Sequence, residues 1–400
     1  MTALSRHSEV AATPGSGLHG PRPHLAALTG VRFAAALLVV CLHTRASLAG
    51  VLPHPLLELI RAGQVGVTLF FILSGFILTY TYLGTDSPGE LSTPRRDFWA
   101  ARFARIYPVY ALGLLVSLPF LLEPLLHRLP SKTEAASLLL APLLLQAWLP
   151  QTACVWNCPG WSLSAEGFFY LLFPLVLGAV AWLRRRGPAN WGLLPGGLLL
   201  WLLSLLPPLL YLRFSPRPFP PESLLMDAAY YGPAFRLPEF LLGMLLGQEF
   251  LRRPSPPRAA ALWTLLGLAG TLLVMVYSGA FTVPLLRNAL VIPFMAALIW
   301  GLAHGRGMVA RLLGWRPMIA LGEASYSLYI LHVPVYLWLD WVRRHFSQTT
   351  SAPGFRFFLA YLGVLVLLSL ATYAWVERPA QRAVLRAWRR RTARAGAGTG

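Results

Sequence analysis

The segment ALTGVRFAAALLVVCLHTRASL at residues 27–48 decides the fold, because it is an apolar helix with an arginine near its start and a histidine inside. Arg32 and His43 are 11 residues apart. Eleven steps of ~100° return to within about 20° of the starting direction, so both side chains lie on one stripe, about 16 Å apart along the axis. If the helix begins near Arg32 at a membrane surface, His43 lies near the middle of a hydrocarbon core about 30 Å thick.

An imidazole at that depth faces protein or water, which makes His43 a candidate functional residue. The alternative is a histidine buried in the helix bundle and hydrogen-bonded to a neighbour. The segment alone leaves both interpretations open, and the other polar residues of the chain bear on the choice.

The composition excludes a soluble globular protein. Of 400 residues, 56% are hydrophobic and only 12% are charged, and the mean hydropathy is +0.57. Apolar runs recur along the chain and predict an all-α polytopic membrane protein with about ten transmembrane helices. The predicted spans are approximately 32–50, 64–83, 104–124, 161–183, 192–212, 232–250, 259–280, 284–303, 319–341 and 355–377. Segment 136–150 is short and contains Pro142, so we interpret it as interfacial or re-entrant.

The net charge of +19 is distributed in a way that argues against nucleic-acid binding. With the N-terminus inside and the loops assigned alternately, 23 basic residues lie on the inner side and nine on the outer side. This excess predicts that both termini are cytoplasmic. We divide the chain into a polar N-terminal arm at 1–25 that lacks a cleavable signal pattern, a membrane domain at 26–380, and a basic cytoplasmic tail at 381–400 that contacts anionic lipid headgroups.

The three cysteines do not predict a metal site. Cys41 lies inside the first helix, while Cys154 and Cys158 bracket a loop. A zinc site needs more ligands at closer spacing. If the loop is extracytoplasmic, a disulfide between Cys154 and Cys158 is compatible with its compartment.

Three candidates lie in the second span and in the loop that follows it. Ser74 stands among glycines that favour close helix packing, and no base adjacent in sequence supports it as a nucleophile. Arg102 and Arg105 in RFARIYPVY are at i and i+3, hence on one helix face. They are either ordinary cytoplasmic anchors or a pair of guanidiniums suited to a phosphate-rich ligand.

The fourth span, WSLSAEGFFYLLFP, places an acid within an apolar helix. Trp161 suits a membrane interface. Glu166 does not suit lipid and needs a cationic or hydrogen-bonding partner, whereas Ser164 could bond to the backbone.

Two later spans contain further polar residues. Arg236 and Glu239 at i and i+3 either neutralise each other or contribute directly to a site. His332 in SYSLYILHVPVY is a second imidazole near the middle of a span, and it is either an alternative catalytic residue or a packing residue.

These motifs, in this order, resemble bacterial acyltransferase family 3, the integral-membrane O-acyltransferases of polysaccharides, nodulation factors and macrolides. The resemblance runs from about Leu28 to Pro379. It rests on Arg32-x10-His43, on GVTLFFILSGF, RFARIYPVY, WSLSAEGFFYLLFP and RLPEF, and on SYSLYILHVPV. Some members carry an appended esterase-like domain, for which we find no counterpart in this sequence.

The resemblance implies a multi-pass protein of the bacterial inner (cell) membrane that transfers an acyl group, usually acetyl, from acyl-coenzyme A to a hydroxyl of a sugar or glycosylated acceptor. The expected partners are acyl-CoA, a carbohydrate or glycosylated acceptor, the lipid bilayer and envelope-polysaccharide machinery, with no permanently bound cofactor and no nucleic acid. The resemblance implies His43 as the central catalytic residue, with Arg32, Arg102, Arg105 and Glu166 as essential partners. From these and the other polar residues we predict a site made of His43, Glu166 and Arg32 for catalysis; Arg102, Arg105, Ser74 and Tyr107 for the donor; and Trp161, Ser164, Arg236, Glu239 and His332 for the acceptor.

This chemistry agrees with the residues themselves. A thioester that esterifies an alcohol needs a base for the hydroxyl proton, and a neutral imidazole suits that role. Glu166 is expected to orient His43, as the acid does in a hydrolase triad. His43 either deprotonates the acceptor for direct attack or carries the acyl group itself, and the sequence leaves both routes open.

Two other classes compete with the enzyme. A proton-coupled polytopic transporter also has buried Arg, His and Glu residues, but we detect no inverted repeat in this sequence. A non-catalytic scaffold in an envelope-polysaccharide assembly is the third interpretation. Product formation that depends on coenzyme A discriminates between these classes.

Overall fold

The computed structural model describes residues 22–84, 90–186, 193–215, 223–252, 257–281, 284–347 and 351–397. Within these ranges every regular element is helical, and the β pairing is confined to an isolated bridge between Leu83 and Leu91. The arm predicted at 1–25 lies almost entirely outside the described residues. The α-helices are α1 (Ala26–His43), α2 (His54–Arg61), α3 (Val65–Tyr82), α4 (Arg95–Leu122), α5 (Lys132–Leu140), α6 (Gly160–Arg186), α7 (Leu193–Phe214), α8 (Leu224–Tyr231), α9 (Pro233–Arg252), α10 (Pro257–Val276), α11 (Pro284–Ala303), α12 (Gly307–Leu313), α13 (Arg316–Glu323), α14 (Ser325–Ser347), α15 (Phe355–Thr372) and α16 (Arg378–Ala397).

Each of the ten predicted spans contains a long helix. Eight helical segments in the described part of the chain are long and apolar enough to cross a membrane. The two predicted spans outside that set correspond to α9, of 20 residues, and α14, of 23 residues. Both helices carry charged residues, such as Glu239 in α9 and Asp340 in α14. The all-helical membrane fold is therefore confirmed, while the count of ten spans and the cytoplasmic termini stay predictions.

The first helix begins and ends earlier than predicted. It runs from Ala26 to His43, whereas the apolar pattern predicts 32–50. The hydroxyl of Thr44 donates to the carbonyl of Val40 at 2.9 Å, and a 3₁₀ turn at Arg45–Ser47 follows. His43 is therefore the last residue of the helix, about 26 Å from its first residue by the helical rise. The expectation that His43 lies midway along the membrane helix is wrong.

The predicted ninth span is two helices. The chain breaks at Ala324 between α13 and α14, and the Ser325 hydroxyl donates to the carbonyl of Gly322 at 2.7 Å. Gly322 lies against the backbone of Thr29 in α1, so a side chain there would overlap the Thr29 carbonyl oxygen. This close approach fixes α13 against α1 and separates it from α14.

The basic tail is helical. After α15 the chain forms a π-helical turn at Tyr373–Glu377 and continues as α16. The indole of Trp388 donates to Asp97 of α4 at 2.7 Å, which holds α16 against the start of α4. The π turn aims Glu377, which is 1% exposed, into the helix bundle.

The central crossing of α3 and α9 depends on glycine. A Cβ at Gly75 would overlap the carbonyl oxygen of Phe240, and a Cβ at Gly243 would overlap that of Ile72. Small residues allow membrane helices to approach until their backbones touch. The predicted packing role of the glycines around Ser74 is confirmed at Gly75.

Segment 136–150, predicted to be interfacial or re-entrant, is not one continuous helix, and its placement in the membrane stays a prediction. It begins within the nine-residue α5, which ends at Leu140, and 3₁₀ turns follow at Gln146–Trp148 and Pro150–Thr152. The side chain of Gln146 donates to the carbonyl of Gly160 at 2.7 Å and ties these turns to the start of α6. The disulfide considered from the sequence is formed between Cys154 and Cys158.

Candidate active site

Two histidines that are 289 positions apart in the chain meet at the end of α1. Nε2 of His332, in the first half of α14, lies 3.3 Å from Nδ1 of His43. The ring centroids are 4.8 Å apart, at an interplanar angle of 61°. His332 is 1% exposed, whereas the side chain of His43 remains exposed. The sequence names both imidazoles as candidates but does not predict their contact.

Backbone carbonyls determine the tautomers of the two rings. Nδ1 of His332 lies 2.6 Å from the carbonyl oxygen of Tyr329, and Nδ1 of His43 lies 2.8 Å from that of Val39. Because a carbonyl oxygen only accepts, each Nδ1 carries the hydrogen. The single Nδ1 hydrogen of His43 is shared between the closer Val39 carbonyl and, at 3.3 Å, Nε2 of a neutral His332. Nε2 of His43 then holds the lone pair that can act as a base.

A cavity of about 420 Å³ opens at the histidine pair. Its wall includes an aromatic cluster, in which Trp161 lies 5.4 Å from Tyr230 and 5.2 Å from Tyr231 between ring centroids. A second cavity of about 320 Å³ shares His43 with the first. Both volumes lie in the range of about 300–1,000 Å³ typical of small-molecule sites.

Of the residues predicted to contact the acceptor, Trp161 and His332 line this cavity. Ser164 does not line it: the side chain is 1% exposed, and its hydroxyl accepts from the backbone N–H of Ala147 at 3.4 Å. Ser164 therefore ties the 3₁₀ turn at Gln146–Trp148 to α6.

Arg236 and Glu239 lie behind the aromatic wall. Their side chains approach within 3.1 Å, and Arg236 also donates to the hydroxyl of Thr68 at 3.0 Å. The guanidinium lies 5.9 Å from the ring centroids of both Trp161 and Tyr230. The two residues are 4% and 3% exposed and do not line the cavity. This arrangement corresponds to the self-neutralising pair considered from the sequence.

Glu166 belongs to a different polar group, which does not line the cavity. One of its carboxylate oxygens accepts from the hydroxyls of Ser74 at 2.9 Å and Tyr170 at 2.6 Å. The contacts of the His43 Nδ1 atom are with Val39 and His332. This geometry contradicts the expectation that Glu166 orients His43, because α6 presents the acid toward Ser74 of α3.

Arg105 is paired with a carboxylate that we did not single out from the sequence. It forms an ion pair with Glu377, and the second carboxylate oxygen of Glu377 accepts from the Ser327 hydroxyl at 2.6 Å. Arg32 lies within electrostatic range of Arg105, Glu166 and Glu377. The structure therefore brings together three of the predicted residues, Arg32, Arg105 and Glu166, around one buried acid.

Arg102 borders this group, and Tyr107 does not belong to it. Arg102 donates to the hydroxyl of Tyr82 at 2.9 Å, and its buried Nε has no hydrogen-bond partner among the described residues. Tyr107 donates to the carbonyl of Pro142 at 3.1 Å and stacks on Phe103. Tyr107 therefore lies away from the predicted donor group.

The polar residues thus form two groups at different depths. The cavity group contains His43 and His332, and the inner group contains Arg32, Arg105 and Glu166. Arg32 and His43 share α1, so the groups are about 16 Å apart along that helix. The first group offers a base beside a cavity, and the second offers fixed positive charge.

Glu377 and Arg287 are the residues that sequence reasoning missed. Glu377 follows an apolar run, and an acid at the end of a span is the signal that could have identified it. Arg287 was counted as a loop charge, but it is 6% exposed and lines the cavity.

No group of three or more histidine, cysteine or acidic side chains that could hold a metal ion occurs among the described residues. Cys41 is the free cysteine, and Cys158 of the disulfide lines the cavity.

Comparisons with known proteins agree with this picture. The family profile described as "Acyltransferase domain" matches residues 25–374. The chain is 28% identical to the acyltransferase MdmB of Streptomyces mycarofaciens over 379 residues, which cover 90% of this chain and 92% of MdmB. It is 24% identical to the O-acetyltransferase OatA of Staphylococcus aureus, covering 91% of this chain and 58% of OatA.

A third relative is the putative peptidoglycan O-acetyltransferase YrhL of Bacillus subtilis. The chain is 25% identical to YrhL, covering 92% of this chain and 56% of YrhL. The chain therefore spans a little more than half the length of OatA and of YrhL. No solved structure matches it.

Proposed function

We propose, from the premise that this chain belongs to the acyltransferase domain family, that it moves an acyl group from acyl-coenzyme A to a hydroxyl group. The acyl group in this proposal is acetyl. The acceptor is a sugar, a surface polysaccharide or a glycosylated metabolite. The observation that carries the proposal is His43, a histidine that lines a cavity and is held through Nδ1 so that Nε2 is the basic nitrogen.

The relatives support the acyl group and the acceptor class. OatA is an O-acetyltransferase, and YrhL is a putative peptidoglycan O-acetyltransferase. A saccharide suits a cavity that combines an aromatic wall with charged and polar side chains that can hydrogen-bond to its hydroxyl groups. The size of the cavity, about 420 Å³, accommodates one end of a larger acceptor.

In the proposed reaction His43 acts as a general base. Nε2 takes the proton of the acceptor hydroxyl as its oxygen attacks the thioester carbonyl carbon, a step for which an imidazole suits neutral pH. The new C–O bond forms, the C–S bond breaks, and the coenzyme A thiolate leaves. The proton on His43 then passes to that thiolate, so the ring returns to its neutral form.

His332 is a positioning residue in this scheme. Its Nε2 shares the single Nδ1 hydrogen of His43 with the closer Val39 carbonyl, and the two acceptors together hold the ring in the reactive tautomer, the role that an acid has in a hydrolase triad. Because this contact occupies Nε2 of His332, His43 is the one base of the pair with a free lone pair. An acyl-histidine route would need a second base to deprotonate the acceptor hydroxyl. The arrangement therefore favours direct attack by the acceptor over an acyl-histidine intermediate.

The inner group is proposed to receive the donor. Arg102 and Arg105 lie near the start of α4, on the side that the positive-inside pattern assigns to the cytoplasm. Guanidiniums bind the phosphate groups of coenzyme A through paired N–H donors. The thioester at the end of the pantetheine arm would then extend toward His43 along α1.

The proposed location is the bacterial cell membrane, with the His43 end of α1 facing outward. The excess of inner arginines supports this orientation. The Cys154–Cys158 disulfide is independent support, because it borders the same cavity and disulfides persist in oxidising compartments.

The test uses purified protein in lipid nanodiscs with radiolabelled acetyl-CoA and a panel of saccharide and glycosylated acceptors. We expect coenzyme A release that depends on acceptor, together with an acetylated product identified by mass spectrometry. Binding of acceptors without coenzyme A release at any donor concentration would refute the enzyme proposal. Uptake of an unmodified substrate into proteoliposomes would support the transporter instead.

A further inference from the structure

The cavity at His43 is strongly basic. Among the described residues, three arginines and no aspartate or glutamate line it. The adjoining smaller cavity is lined by two of these arginines, Arg45 and Arg61, and likewise by no described acid. The arginines come from three different elements: Arg45 from the 3₁₀ turn after α1, Arg61 from the end of α2, and Arg287 from α11. These three guanidiniums give the cavity its positive charge, while the two histidines face it as neutral imidazoles.

Arg287 is the buried member of the three cavity arginines, and its charge is not matched by an ion pair with a described carboxylate. It is 6% exposed, and its buried Nε has no hydrogen-bond partner among the described residues. Burying a guanidinium without a paired anion costs free energy, so such a group is expected to meet one in the working protein. Arg287 has no carboxylate within ion-pair distance in the described part of the chain.

The acid nearest in electrostatic terms is already occupied. Glu58 is an electrostatic neighbour of Arg287, but its carboxylate pairs with Arg61 and accepts from the Ser278 hydroxyl at 3.1 Å. The negative charge of Glu58 therefore compensates the positive charge of Arg61. Arg45, at the exposed rim, donates to the carbonyl of Leu42 at 3.3 Å and forms no ion pair within the described ranges.

From this arrangement we infer that the cavity recognises an acceptor saccharide that carries an anionic group, a carboxylate or a phosphate, next to the hydroxyl that is acylated. The inference rests on the proposed function and names the substrate class of the same site. Arg287 binds the anion through its planar fork of N–H donors. Arg45 adds attraction at the entrance, and the aromatic wall covers the apolar face of the sugar ring.

The geometry gives the anion a role in specificity. Arg287 and His43 line one cavity. An anionic group bound to Arg287 therefore places a neighbouring hydroxyl of the same sugar beside Nε2 of His43. A neutral saccharide of the same size leaves the guanidinium unpaired. Discrimination against an analogue that leaves a buried polar group unpaired is large.

The experiment measures binding without donor. Saturation-transfer NMR on nanodisc-embedded protein would compare methyl glucuronide, glucose 1-phosphate and neutral methyl glucoside. We expect the wild-type protein to bind at least one anionic sugar about tenfold more tightly than the neutral one, and Arg287→Met to remove that preference. The matched control is Arg356→Met, which removes an exposed arginine at the start of α15 and should leave the preference intact.

Two further variants keep the test decisive if Arg287→Met fails to fold. Arg45→Gln, at the exposed rim, should reduce the preference in part, and Arg287→Lys should retain part of it. Binding of the two anionic sugars separates a carboxylate ligand from a phosphate ligand. Equal binding of charged and neutral sugars by folded wild-type protein would overturn the inference.

Donor kinetics separate this inference from the proposed function. If Arg287→Met raises the KM for acetyl-CoA and leaves the sugar preference unchanged, the arginine serves the donor and the inference is wrong. If the preference for anionic sugars depends on Arg287 but no acetyl-CoA is consumed, the anion site stands and the acyltransferase proposal fails.

Discussion

At the level of single residues, the contact between His43 and His332 gives each imidazole its own expected phenotype. We predict that His43→Ala lowers kcat by about 10² to 10⁴-fold, the usual contribution of a general base. His332→Ala should cost less, about tenfold, as expected for the loss of one hydrogen bond. The measurement is steady-state kinetics on folded variants that still bind coenzyme A.

A split between kcat and KM tests the positioning role. Loss of His332 should lower kcat and leave both KM values unchanged, because the residue acts through His43 and not on a substrate. If His43→Ala retains substantial activity while His332→Ala loses it, the roles of the two imidazoles are assigned the wrong way round.

Arg102 and Glu166 are predicted to divide the work by location. Arg102→Gln should raise the KM for acyl-CoA, because the residue lies near the start of α4 and has an unpaired Nε for the donor. Glu166→Gln should mainly lower kcat. Isothermal titration with coenzyme A complements the kinetics, and an equal loss of donor affinity in both variants would contradict this division.

Arg105 is a poor probe of donor binding by itself, because it compensates Glu377. We predict that Arg105→Gln destabilises the protein by about 3–5 kcal/mol, the usual cost of leaving one member of a buried ion pair alone. The double variant with Glu377→Gln should recover most of this loss. Thermal unfolding in detergent measures both, and additive losses in the double variant would show that the pair is not coupled.

At the level of helices, the apolar pattern predicts where membrane helices exist but not where they end. The pattern for α1 predicts 32–50, and the helix is Ala26–His43. The start depends on packing of α1 against α12 and α13, and the end depends on the turn at Arg45–Ser47. Neither is visible in local hydropathy. The packing that sets the start involves residues far away in the chain, and the turn that sets the end depends on a single side-chain hydrogen bond.

The crossing of α3 and α9 gives a prediction at this scale. Gly243→Ala should lower the melting temperature and the yield of folded protein, because the new Cβ overlaps the backbone of Ile72. Gly363→Ala in α15 is the matched control, since nothing lies within 4 Å of its Cβ position. The control should be neutral or slightly stabilising, since alanine favours helix over glycine by about 1 kcal/mol. Equal melting temperatures for the two variants would contradict the packing argument.

At the level of the whole molecule, the prediction concerns which end of the bundle faces outward. In intact cells, a membrane-impermeant maleimide should label the Cys41→Ser variant at Cys154 and Cys158 only after reduction. A cysteine introduced at the exposed Arg391 of α16 should stay unlabelled until the cells are permeabilised. The reverse pattern would mean that the His43 cavity opens to the cytoplasm and that the positive-inside assignment fails here.

The sequence by itself determined the class of the molecule and most of its chemical groups. Composition and long apolar runs specify membrane helices, because a backbone in lipid must satisfy its hydrogen bonds within the helix. Burying polar side chains in such helices costs free energy, so His43, Glu166 and His332 can be identified from the sequence as candidate functional residues.

Only the tertiary structure decided which of these groups act together. It pairs His43 with His332 across 289 positions, separates Glu166 from His43, and turns Arg287 from a loop charge into the wall of a cavity. The physical reason is that periodicity fixes the direction of a side chain on its own helix. The partner it meets depends on how the helices are rotated and shifted against each other, and close contacts such as those at Gly243 and Gly322 set those positions.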